Sequence, residues 1–221
     1  MQLALLSVGR QPAAEGLLSA LEPAAAYQAE DPAGVDAVLD TLHDQRLVLH
    51  AGGLAGLNLA LTRLMRRGLL AELDTAVVLP APPRYLRQLG LPADLTGQLA
   101  IARQPARLVG VLKDDSGGLC IDSAELAPWQ VGAPWWVRAM VDDQPLCDGQ
   151  VRSVTVRRLG PDELEATVTL GRFRQRTCRG RSLQLACDEA RIVADEVARE
   201  RPRRKRTFWS EPKLWRLALP G

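Results

Sequence analysis

The sequence predicts a two-lobe protein of the α/β class: an amino-terminal lobe on a parallel sheet, residues 1–105, then an antiparallel β-sandwich-like lobe, residues 106–221. Three observations carry this expectation. In the first hundred residues, nearly continuous apolar runs alternate with segments of helical periodicity, the pattern of strands covered by helices on both faces. After about residue 105 the period shortens to β-like runs broken by turn signals. At 221 residues and 47% hydrophobic content, the chain can bury a substantial core.

The elements follow in order. "LALLSV" (3–8) is a short apolar strand, and "PAAEGLLSALEPAAA" after it reads as a helix with Leu17, Leu18 and Leu21 on one face. "DPAGVDAVLDTLHD" opens with Asp31 as N-cap and Pro32 at the first helical position, and buries Val35, Val38, Leu39 and Leu42. "RLVLH" (46–50) is the next strand, followed by a glycine turn and a helix over about 55–70. That helix sets Leu57, Leu61, Leu64 and Leu69 opposite Arg63, Arg66 and Arg67. "TAVVLP" (75–80) is another buried strand.

In the second half, "ARLVGVLKD", "GLCIDSA", "PWWVRAMVDD", "QVRSVTVRRLG", "ELEATVTLG", "RFRQRTC", "RSLQLAC" and "ARIVADEVA" are the strand candidates. "DDSGG", "CDG", "LGPDE" and "CRGR" supply the turns. Trp129, Trp135, Trp136, Trp209 and Trp215 all fall here, expected mainly as packing residues, with Trp135-Trp136 candidates for lining an apolar ligand groove.

No run reaches the ~20 apolar residues of a membrane helix, and "MQLALLSVGR" lacks the features of a signal peptide. Cytoplasmic residence is the expectation. Cys120, Cys147, Cys178 and Cys187 show no C-x-x-C pairing and lie far in sequence from His43 and His50. Buried reduced thiols are expected, and no metal site. The net charge of +2 hides an asymmetry: residues 1–100 carry 7 basic against 10 acidic side chains, and the remainder 21 against 16. Only Lys113, Lys205 and Lys213 of the basic residues are lysine, and arginine suits phosphate and carboxylate contacts.

The segment "VLHAGGLAGLNLALTRLM" (48–65) is the chemically suggestive one. A strand ending in glycines and opening a helix presents unsatisfied N–H groups and the positive end of the helix dipole to an anion. Glycine lets a ligand approach the backbone without a Cβ in the way. Gly52, Gly53 and Gly56 fit that layout, although a β-to-α turn holding nothing has the same spacing. No G-K-[ST] follows, and the run is not G-x-G-x-x-G.

"RLVLHAGGLAGLNLALTRL" (46–64) resembles the catalytic-domain signature of diacylglycerol and sphingosine kinases, in which an apolar strand leads into GGDGT and then LNEV. "AVVLPAPPRYLRQLGLPADL" (76–95) is similar to the family's next landmark, where a strand ending in proline leads through GTGN to ARxLGLP. The closing "LWRLALPG" also fits the family plan. The resemblance implies a nucleotide lobe and a lipid lobe, with ATP and Mg as cofactors if the site works. It places Gly52, Gly53, Gly56 and Asn58 in the cofactor region.

The departures are as informative. Leu54 stands in place of the GGDGT Asp, Ala55 of its later Gly, Gly56 of its Thr, and Leu59 of the Glu after Asn58. "APPRY" replaces GTGN without Gly, Thr or Asn, with Pro82 and Pro83 unable to donate backbone hydrogen bonds. "SVGRQPAAEG" replaces the usual NPxxG. The late acidic pair would be Asp195-Glu196, and a divergent active kinase would need replacement carboxylates such as Asp114, Asp115 or Asp122. Phosphoryl transfer depends on positioned charge and metal, and losing one such group commonly costs ~3 kcal/mol of transition-state stabilisation. The expectation is therefore a non-catalytic, lipid- or ligand-binding pseudokinase with no catalytic residues and no cofactor. The alternatives are a divergent but active ATP-dependent lipid kinase and a nucleic-acid-binding protein.

Two basic clusters suggest an anionic partner. "GRFRQRTCRGR" (171–181) puts Arg172, Arg174 and Arg176 at period two, predicting a guanidinium ladder on one strand face with Phe173 turned into the core. "RERPRRKRTFW" gathers Arg203, Arg204 and Arg206 beside Phe208 and Trp209. Such clusters suit an anionic lipid surface or nucleic acid, and the resemblance to lipid kinases implies the lipid surface, with a peripheral place at the membrane, or an apolar small molecule, ahead of nucleic acid.

Overall fold

The computed structural model describes residues 2–10, 13–80, 82–160 and 162–221. Residues 11 and 12 of "SVGRQPAAEG" and residue 81 of "APPRY" lie outside the described residues. The chain forms two compact units, Met1–Val109 with Lys213–Gly221, and Gly110–Pro212.

The first unit is α/β. Its elements are β1 (Leu3–Val8), α1 (Glu15–Leu21), β2 (Ala25–Ala29), α2 (Pro32–Leu39), β3 (Arg46–Ala51), α3 (Leu54–Arg66), β4 (Thr75–Val78), α4 (Pro83–Leu89) and α5 (Leu95–Ile101). Strands β2, β1, β3 and β4 are parallel neighbours in that order. β1 and β4 are buried along their whole length, as a sheet covered on both faces requires. Leu3, Leu5, Val48, Ala76 and Val78 pack with Leu17 and Leu21 of α1. On α2, Asp31 accepts from the Gly34 N–H at 2.7 Å with Pro32 behind it, as the cap signal predicts.

Two predicted helices are shorter than expected. The α1 helix stops at Leu21 because Glu22 turns left-handed (φ 45°) and Pro23 follows. The alanine-rich "AAYQA" beyond it becomes β2, its helix propensity overridden by pairing with β1. The α3 helix ends at Arg66, where Gly68 takes φ 73° and Leu69 bonds back to Leu64 O at 2.9 Å. Leu69 therefore falls off the predicted stripe. The Pro82-Pro83 pair is a helix start, where the missing N–H of proline costs nothing.

The second unit is antiparallel. It contains β6 (Leu119–Cys120), β7 (Ser123–Pro128), β8 (Trp136–Val141), β9 (Gln144–Gln150), β10 (Ser153–Arg158), β11 (Leu164–Thr169), β12 (Gln175–Gly180), β13 (Ser182–Ala194) and β14 (Val197–Ala198), with parts of β5 (Ala106–Asp114) and β15 (Arg203–Ala218). One layer runs β12-β11-β10-β7-β13. The thirteen-residue β13 also pairs through Leu183–Cys187 with β8, which pairs with β9. Val154, Val156, Leu164, Ala166 and Val168 of the first layer share a core with Val137, Ala139, Val141, Leu183 and Phe208. This is the sandwich-like half that the short strands predict.

The predicted arginine ladder is corrected. β11 ends at Thr169, paired with Gln175, so residues 170–174 have no strand partner and close a turn through Leu170 N–H to Arg174 O at 2.9 Å. Arg172 and Arg174 lie in that turn and only Arg176 is on the strand; Phe173 is 91% exposed rather than in the core. Among the described residues, no helix is long and apolar enough to cross a membrane. Cys120 and Cys147 are buried, Cys178 and Cys187 half-buried, and all four are free thiols.

Candidate functional site

Open parallel sheets bind ligands beyond the carboxyl ends of their strands, at the point where the strand order reverses. In the first unit that point lies between β1 and β3, since the chain leaves β1 toward β2 on one side and β3 toward β4 on the other. Two glycine-bearing ends meet there. β1 runs into Gly9 (φ 115°) and β3 into Gly52-Gly53 and the start of α3.

The turn has an open half and a packed half. A Cβ on Gly52 or Gly53 would meet nothing within 4 Å. Gly53 is the N-cap of α3 in an extended conformation, and the first intrahelical bond returns from Leu57 N–H to Gly53 O at 3.3 Å. The amides of the helix's first turn thus open beside two glycines, as an anion would need. Gly56 does something else: a Cβ there would stand 2.9 Å from Val8 O and 3.3 Å from the Ala51 Cβ. It lets α3 lie close on β1. Asn58 is also turned inward, 7% exposed, and accepts from the Thr62 hydroxyl at 3.3 Å. Of the four residues in the predicted cofactor region, Gly52 and Gly53 face open space while Gly56 and Asn58 face the protein.

Leu54 is 2% exposed and belongs to the core. The side chains at 54–56, Leu, Ala and Gly, bring no oxygen to the turn. The turn therefore offers open backbone at Gly52-Gly53 but no side-chain oxygen, and a divalent metal would find no carboxylate on it. Among the described residues, no group of three or more His, Cys, Asp or Glu side chains is arranged to hold a metal ion.

Sequence reasoning missed the polar side chains of this site. His50, the penultimate residue of β3, sits opposite Ser7 of β1, with His50 Nδ1 3.2 Å from Ser7 Oγ. Burial lowers the imidazole's pKa below its ordinary 6.5. His50 lines a cavity of about 610 Å³ with Leu17, Val78, Leu79, Leu95 and Gln98. Its floor is fixed by Gln98, whose amide accepts from Leu79 N–H at 2.8 Å and donates to Leu79 O at 3.3 Å and Pro92 O at 3.1 Å. A lone histidine just before a glycine turn was the only signal in the sequence.

The acidic candidates all lie in the second unit, and all but the exposed Glu196 are engaged there. Asp195 and Glu196 are the two left-handed residues (φ 48° and 70°) of the tight turn joining β13 to β14. Asp195 is buried and accepts from the N–H groups of Ile121 (2.7 Å), Asp122 (2.9 Å) and Ser123 (3.4 Å). Asp114 accepts from Ser116 and Gly118 N–H at 2.8 and 3.0 Å. Burial pulls its pKa up, but hydrogen bonds from Ser116 and Gly118 and the Arg206 charge outweigh this and hold it below the usual carboxylate value. Asp122 accepts from the Ser123 hydroxyl at 2.9 Å. These carboxylates organise turns.

The second basic cluster also divides. Arg206 is 5% exposed and pairs with Asp115 at 2.6 Å, so it is an internal cation and not part of a surface. Arg203 and Arg204 are exposed, Arg204 paired with Glu189 at 3.1 Å. The alternation along β15 turns Arg206 inward beside Phe208, which the run of basic letters could not reveal.

No protein-family profile matches the sequence, and no curated protein matches it. Solved structures match its fold. A diacylglycerol kinase from Bacillus anthracis str. Sterne aligns over 99% of this chain and 97% of its own, at TM-score 0.70 and 10% identity. An NAD kinase from Archaeoglobus fulgidus in complex with ATP aligns over 98% and 93%, at TM-score 0.63 and 12% identity. Yeast NADH kinase complexed with NADH aligns over 98% and 83%, at TM-score 0.51 and 11% identity. The chain has the two-lobe fold of diacylglycerol kinase-like and NAD kinases.

Proposed function

We propose that this protein is a non-catalytic member of the lipid-kinase-like fold that binds a phosphate-bearing amphiphile at the carboxyl edge of its parallel sheet. The phosphate would meet the amides at Gly52-Gly53, and the apolar part would enter the cavity lined by Leu17, Val78 and Leu95. His50 would serve as the polar contact on the cavity wall.

One observation carries the reading: the turn keeps its open backbone while the position of the family's carboxylate is a core leucine, Leu54 at 2% exposure. Without an oxygen at that position, nothing on the turn orients a metal or a nucleophile. The buried Asp114 and Asp195 are held by backbone amides, which argues against their service as substitutes.

The test has two arms. Purified protein should transfer no radiolabel from ATP with Mg to diacylglycerol in mixed micelles, and Mg·ATP should not raise Tm. Lysophosphatidate should raise Tm by several degrees through linkage, and Gly52→Val should cancel the rise. Label transfer well above background would favour the active-kinase alternative and defeat the proposal.

A further inference from the structure

We infer that one end of the second unit is a membrane-docking surface, in which Val131, Phe173, Trp129 and Trp136 enter the interface of an anionic bilayer and nearby arginines hold lipid phosphates. The inference goes beyond the reading of the glycine turn and does not depend on it.

Strand register brings these residues together. Ala190 pairs with Pro128, Val154 with Leu126, and Ser153 and Gln175 both with Thr169. The 129–135 loop, residues 151–152 and the 170–174 turn therefore share one end of the sandwich. Val151 N–H bonds to Trp135 O at 3.0 Å and Arg152 N–H to Thr169 O at 2.7 Å, tying the three segments. Val131 and Leu170 line the same hollow of about 640 Å³, with Arg152 and Arg191 on its wall.

Exposure at this end is unusual. Val131 is 94% and Phe173 91% exposed, each at the tip of its own loop, with Trp136 at 51% and Trp129 at 39%. Below them Trp135 is 1% exposed and anchored through Nε1–H to Asp188 O at 3.1 Å, so the loop stands on a fixed base. Trp136 keeps its indole Nε1–H on Asp148 at 3.2 Å and its side chain half exposed, the amphipathic posture of an interfacial tryptophan.

Charge identifies the occupant. Arg152, Arg172, Arg174 and Arg191 are exposed and pair with no carboxylate among the described residues. Two acids at this end are ion-paired, Asp148 with Arg138 and Glu189 with Arg204, while Asp188 accepts from the Trp136 backbone N–H at 2.9 Å, so the arginines outnumber the acids left to meet them. Arg172 also stacks on Phe173, 5.3 Å from its centroid, so cation and apolar tip travel together. A protein partner offers a rigid surface that must match two separate tips, whereas a bilayer admits each independently and supplies the phosphates.

The test uses the full chain with vesicles of phosphatidylcholine alone or containing phosphatidylglycerol. Wild-type protein should co-sediment only with anionic vesicles, with its tryptophan emission shifted to the blue, and added salt should weaken binding. The Val131→Ser/Phe173→Ser double variant should lose about tenfold in vesicle affinity with unchanged Tm, because both side chains are solvent-facing. Leu159→Ser, 43% exposed at the opposite end of β10, should bind as wild type. Replacing Arg152, Arg172, Arg174 and Arg191 by serine should remove the dependence on anionic lipid. Wild-type protein that ignores anionic vesicles would overturn the inference. So would a double variant that binds normally, a Leu159 variant equally impaired, or a patch that binds oligonucleotides or a second copy of the chain instead.

Discussion

Ser7 and His50 stand opposite each other on neighbouring parallel strands, hydroxyl to imidazole at 3.2 Å, at the point where the sheet reverses its strand order. The pair is local to no part of the sequence, being brought together by the β1–β3 register alone. Which of the two atoms donates follows the imidazole tautomer.

Acidification should destabilise the protein through this histidine. Burial lowers the folded pKa of His50 below its ordinary 6.5, so the unfolded chain takes up the proton first as pH falls. The contribution is fully present above 6.5 and is lost as pH drops through the folded value. Tm measured between about pH 7.5 and 5.5 should therefore fall in wild type and fall less in His50→Gln. Identical slopes would show that the imidazole is not the group responsible.

The glycine turn predicts opposite outcomes for substitutions four residues apart. Gly56→Ala forces a methyl to within 2.9 Å of Val8 O, and should cost about 1–3 kcal/mol in urea denaturation. Gly52→Ala meets open space and should stay within about 0.5 kcal/mol of wild type. The order of the two midpoints checks the geometry.

Placing a carboxylate at residue 54 should not create a kinase. Leu54→Asp would place a charge at a position 2% exposed, and should destabilise by about 3 kcal/mol or more without conferring phosphoryl transfer. Radiolabel assay beside a denaturation curve measures both effects. A folded, active variant would mean that the turn opens readily to solvent.

Asp195 should behave as a structural acceptor. Asp195→Ala strands the N–H groups of Ile121, Asp122 and Ser123, and should cost about 2–4 kcal/mol. Asp195→Asn keeps one accepting oxygen and suits the left-handed backbone at φ 48°, so its loss should be smaller. Equal losses from the two substitutions would assign the effect to the charge instead.

Much of the fold is legible wherever the deciding information is local. "LALLSV" becomes Leu3–Val8 and "ARLVGVLKD" becomes Ala106–Asp114, because apolar period and flanking turns mark each residue by residue. The Asp31-Pro32 cap works for the same reason. Non-local pairing decided the rest. The alanines of 25–29 became a strand only because β1 was there to receive them. Arg172 and Arg174 left the strand because β11 stops at Thr169. The glycine turn itself could be located from sequence, but its division into open Gly52-Gly53 and packed Gly56 depends on where Val8 O lies. His50 acquires its partner from a strand 43 residues away.

The last strand has a consequence for biosynthesis. Residues 213–221 belong to the first unit, with Trp215 buried and hydrogen-bonded to Thr75 at 2.7 Å and Leu217 paired beside the same threonine. A ribosome therefore delivers this piece only after the whole of 110–212 has been made. Until then the Thr75 edge of the nascent sheet lacks its Leu217 partner, and an unpaired edge is a template for wrong pairing.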